Sequence, residues 1–211
     1  MVVIMLVLMA LVFGFAWFFY GKTITAFTSD APVPIQTAAP SEAATASAAD
    51  KFQRLRTAAN SQQSVTMEFT ADELNALIAR HPSFTDLRGK VRFGIADSVL
   101  DVALSVPLSD IQLPRVKDRW FNGTARFGLT YDEDRFNLAV KSLEANGQSV
   151  DLSGFQRFAD KFDDKFNEAF QKSQRDNAGS GEFWENVKAI RVVGDKLIIT
   201  TKGAATDSRT I

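Results

Sequence analysis

From Val91 to Leu143 large apolar and polar side chains alternate at nearly every second position, and that period restricts the region to strands with one covered face. Val91, Phe93 and Ile95 share one face, with Lys90, Arg92 and Gly94 on the other. After an Ala96-Asp97-Ser98 turn, Leu100, Val102, Leu104, Val106 and Leu108 repeat the pattern, which predicts an antiparallel hairpin. A third strand, Trp120 to Tyr131, gathers Phe121, Ala125, Phe127, Leu129 and Tyr131 on one side. The Asp132-Glu133-Asp134 turn leads to a fourth, with Phe136, Leu138 and Val140 inward. Gly194-Asp195 joins a last pair, Ala189 to Val193 and Lys196 to Thr201, as a two-residue hairpin turn whose twist suits the flanking strands.

Helical signals flank these strands. Thr70 can cap the first turn of a helix reading DELNALIARH, with Glu73 as its capping-box partner and Pro82 as its stop. Between Ser153 and Ser173, Phe155, Phe158, Phe162, Phe166 and Phe170 recur at spacings of three and four, which stacks them into one apolar stripe of a long helix. The expected fold is α+β, a curved antiparallel sheet of about five to six strands packed on that Phe-striped amphipathic helix.

The first twenty residues carry no charge and are long enough to cross a bilayer as a helix. Trp17, Phe18, Phe19 and Tyr20 suit the headgroup zone, and Lys22 can reach water beyond them. No basic residue precedes the run and no suitable cleavage site follows closely, so the pattern predicts an uncleaved single-pass signal-anchor in the cell membrane rather than a removed leader. The division that follows is an anchor at 1–21, a flexible Ala/Pro/Ser/Thr-rich spacer at 22–62 with a short helix over Lys51 to Asn60, a folded domain at 63–203 and a tail at 204–211. The spacer composition points to an extracytoplasmic, periplasmic or cell-surface domain.

The inventory for catalysis is thin. The chain has one His, His81, beside Pro82, and no Cys, which excludes a disulfide framework and a cysteine-ligated metal. Asp97 and Asp101 flank a turn without an evident second acid or metal partner. Gly-rich phosphate loops are absent, and Asn122-Gly123-Thr124 matches the glycosylation acceptor tripeptide. No catalytic residue, metal or cofactor is therefore expected. A net charge of −1 gives no broad field for nucleic acid, and Arg54 with Arg56, and Arg115 with Lys117 and Arg119, read as solvated positions.

The extended piece before FTADELNALI, the meandering strands, the apolar helix and the closing AIRVVGDKLIITTKG resemble the YpmS-like single-pass bacterial membrane proteins. More distantly they are similar to domains of the tubular lipid-binding superfamily. That resemblance implies an extracytoplasmic location and lipid binding. The reading is a non-enzymatic domain beside the lipid bilayer that takes a lipid or other apolar ligand in a groove between sheet and helix. Phe155, Phe158, Phe162, Phe166 and Phe170, with Phe121 and Trp184, either line that groove or fill the core. The alternative is a scaffold or assembly factor meeting another envelope protein through a sheet edge or aromatic surface.

Overall fold

The computed structural model describes residues 28–36, 38–108, 118–132, 134–152, 164, 167–168, 170–172 and 183–204. Chain order is α1 (Glu42–Asn60), β1 (Thr66–Thr70), α2 (Ala71–Arg80), a 3-10 segment (Pro82–Leu87), β2 (Val91–Ala96), β3 (Val99–Pro107), β4 (Trp120–Asp132), β5 (Arg135–Ala145), β6 (Gln148–Ser149), β7 (Val187–Val193) and β8 (Lys196–Thr201).

The expected α+β arrangement is corrected. The described strands form one eight-stranded antiparallel sheet that curls into a nearly closed barrel accompanied by few helices. The reason lies in β4. One edge of this 13-residue strand pairs with β5. Its other edge is shared, β3 taking Trp120 to Phe127 and β7 taking Thr130 to Asp132. The β2–β3 and β7–β8 hairpins thus lie end to end along β4 with their turns touching, Ser98 N–H donating to Gly194 O at 2.8 Å and Gly194 N–H to Ser98 Oγ at 2.9 Å. Register shifts at Arg126/Phe127 and at Val187/Ala189 add local bend and twist, so the sheet covers much of its own inner face.

The helix α2 begins where its capping chemistry places it. Glu73 N–H donates to Thr70 Oγ1 at 3.2 Å and Thr70 N–H to Glu73 Oε2 at 2.9 Å. Leu74, Leu77 and Ile78 enter the same core as Val91, Phe93, Leu100 and Phe127. Residues read as spacer form α1, a 19-residue helix that starts at Glu42 rather than Lys51. Ser41 caps it and Ala at 43, 44, 46, 48 and 49 favours it, an advantage that a reading weighted towards Ser, Thr and Pro overlooks. Ala48, Leu55, Ala58 and Ala59 bury its inner side.

The single-pass anchor read at 1–21 has no counterpart among the described residues, where no helix is long and apolar enough to cross a membrane. The helix α1 has the length but carries Glu42, Asp50, Lys51, Arg54 and Arg56. Residues 1–21 and Lys22, with Trp17, Phe18, Phe19 and Tyr20, lie outside the described residues.

Three backbone edges are met by side chains. Lys51 Nζ donates to Glu68 O of β1 at 2.8 Å, on the side away from β8. On β2, the Asn75 amide takes both backbone groups of Phe93, each at 2.8 Å. On β5, the Asn167 amide does the same for Phe136, at 2.7 and 2.9 Å. A carboxamide so placed imitates a neighbouring strand and blocks edge-to-edge pairing. Replacing Asn75 with Ala strands two polar groups and is expected to cost about 2 kcal/mol, read as a lower urea midpoint at unchanged slope.

Candidate functional site

The feature closest to a site is built by an N-terminal strap, residues 28–35, lying across the start of β4. Pro32 and Pro34 fix φ near −65° and remove two N–H donors, which favours an extended path over a helix. Ser29 makes a reciprocal bridge with Trp120, the backbone distances being 2.9 and 2.7 Å, at a stretch of β4 that lies beyond its pairing with β5.

Two residues pin the strap. Arg119 bonds Thr28 Oγ1, Thr28 O at 2.6 Å and Asp30 Oδ1 at 2.5 Å. Asn122 is only 7% exposed and its carboxamide is fully used. Its Oδ1 accepts from Ser105 Oγ at 2.7 Å and Val33 N–H at 3.0 Å, and its Nδ2 donates to Ser29 Oγ and to Ala31 O at 2.9 Å. This saturation assigns Asn122 a structural role and removes the acceptor amide that the Asn-Gly-Thr match suggested. Arg119, read as solvated, instead anchors the strap.

Between strap and sheet lies an open cavity of about 250 Å³. Val33 and Ile35 form one wall, Ala103 and Thr124 the sheet side, and Glu144 with Asn146 the end. In the register of the sheet, Ala103, Thr124 and Glu144 follow one another across β3, β4 and β5. The same face continues with Asp101 and Arg126, 3.8 Å apart. Burial raises the Asp101 carboxyl above its ordinary value; Arg126 and Arg92 oppose that shift and Glu144 adds to it.

The expected aromatic groove takes a different form. Phe170 is 0% exposed and Trp184 1%. Their ring centroids lie 5.0 Å apart at 89°, and Phe170 also meets Tyr131 and Phe136 edge-on. This is close-packed core. Phe121 is equally buried, near the start of β4, while Phe155, Phe158, Phe162 and Phe166 lie outside the described residues.

His81 is placed structurally. Its Nδ1 accepts from Ser83 N–H at 3.2 Å, and its ring packs 4.8 Å from Phe52 and 5.6 Å from Phe84. Burial, the largest cause, holds its pKa below 6.5, and the charge of Arg56 makes a lesser contribution. Glu73 is the other perturbed group. Burial alone would raise its pKa, but bonds from Lys51, Ser47 and the Thr70 N–H bring it below the ordinary 4.5. Both folded values are depressed, so both contributions to stability are full above the ordinary pKa and fade as pH falls through the folded value. The urea midpoint is therefore expected to fall between pH 7 and pH 5 through His81 and further below pH 4.5 through Glu73, with His81→Phe flattening only the first phase. Among the described residues, no group of three or more His, Asp or Glu side chains could hold a metal ion.

The strap is missed by sequence reasoning because its contacts with Arg119 and Asn122 span about ninety positions. The available signal is the pairing of a Pro-rich extended segment with a polar residue, Asn122, set within a strand. Comparison with known proteins found no matching family model, no similar curated protein and no similar solved structure.

Proposed function

We propose that this chain is a non-catalytic binding domain that holds a small, partly apolar ligand in the cavity beneath the strap. The supporting observation is the set of four hydrogen bonds made by Asn122, three of which reach the strap and fix it over the outer sheet face with the cavity alongside. Aliphatic walls from Val33, Ile35 and Ala103 facing a few polar groups match the usual composition of ligand sites, in a volume just below their usual size range. A long acyl chain is disfavoured, because Phe170 and Trp184 are packed. The scaffold alternative loses its simplest route, since side chains already occupy backbone positions on the edges of β1, β2 and β5.

Ala103→Leu provides the test, because its added atoms enter the cavity and leave the inner core untouched. Titration with 1-pentanol, followed by backbone amide shifts, is expected to move Val33, Thr124 and Asn146 in the wild type and to leave them still in the variant. Equal shifts in both proteins would overturn the proposal.

A further inference from the structure

We propose that the ligand of the strap cavity is a small aliphatic cation, a primary amine or guanidinium on a short alkyl stem, with its charge at Glu144 and its stem against Val33, Ile35 and Ala103. This deepens the binding proposal and rests on it. The cavity lining contains one carboxylate, that of Glu144, and no Lys or Arg. No cationic side chain lies within ion-pair distance of Glu144 among the described residues, whereas Asp101, on the neighbouring row, is matched by Arg126. An unneutralised carboxylate at the end of a partly apolar recess favours a donor-bearing cation and repels an anion.

The remaining polar groups agree with that choice. The Thr124 hydroxyl and the Asn146 carboxamide make no side-chain hydrogen bond among the described residues, so both can accept from an ammonium or guanidinium. Asn122 is unsuited to bind the ligand directly, because its four positions hold Ser105 and the strap. The aliphatic walls are short, which suits a stem of a few carbons.

The test uses the full chain with n-pentylammonium, 1-pentanol and pentanoate as probes, each followed by amide shifts at Thr124, Glu144 and Asn146. Pentylammonium is expected to bind at least tenfold more tightly than pentanol, and pentanoate more weakly than either. Glu144→Gln, an exposed substitution, is expected to bring pentylammonium to the level of pentanol. Equal binding of amine and alcohol, or an amine affinity unchanged in Glu144→Gln, would overturn the choice of a cation while leaving the cavity as a binding site. Absence of shifts with all three probes, or amine shifts that persist in Ala103→Leu, would overturn the binding proposal itself.

Discussion

Trp184→Ala is expected to lower the unfolding free energy by about 3 to 5 kcal/mol, among the largest effects of any single substitution in the described core. The indole is 1% exposed and meets Tyr131, Phe136 and Phe170 at centroid distances of 5.6, 5.9 and 5.0 Å. All three contacts are edge-on, and such pairs add to area burial. Truncation leaves a void that three rigid rings cannot close by small rotations. Thermal unfolding followed in the far-UV should shift down by about 10 °C. Trp184→Phe should recover much of that loss, and an alanine variant melting within about 2 °C of the parent would remove the aromatic cluster from its central position.

Gly123→Ala is expected to cost about 3 kcal/mol or more by overpacking, although it adds one methyl group. A Cβ at residue 123 would lie 2.2 Å from the Glu144 carbonyl oxygen and 2.7 Å from Phe121 Cζ. The first of these is backbone, so β4 and β5 must part where they border the strap cavity. Gly128→Ala on the same strand is the control, since its nearest neighbour would be Ala139 Cβ at an ordinary 3.6 Å. The urea midpoint should fall sharply for the first and stay nearly level for the second. Similar values for both would mean that close approach is not what reserves position 123 for glycine.

Local signals were legible in the sequence, and distant ones were not. Period-two alternation identifies most of β2 to β5 because a strand's two faces are written in adjacent residues. The Thr70–Glu73 box was equally readable, since its partners lie three positions apart. Closure of the sheet was not. Nothing between Trp120 and Asp132 announces that one edge of β4 is divided between two hairpins, the division that curls the sheet towards closure. The aromatic residues illustrate the same limit: spacing joined Phe170 to four other Phe, whereas its described ring partners are Tyr131, Phe136 and Trp184. At the cavity, Glu144 and Ala103 became neighbours of Val33 only through pairing across three strands and a strap.

Thr66 of β1 pairs with Thr200 of β8, so the sheet partner of β1 among the described strands lies 134 positions further along the chain. Until β8 has been made, that edge of β1 lacks the strand it pairs with. Closure of the barrel therefore waits for β8 and is governed by the long loop that has to be closed. During that interval Met67 and Phe69, buried in the finished protein, are open to chaperones.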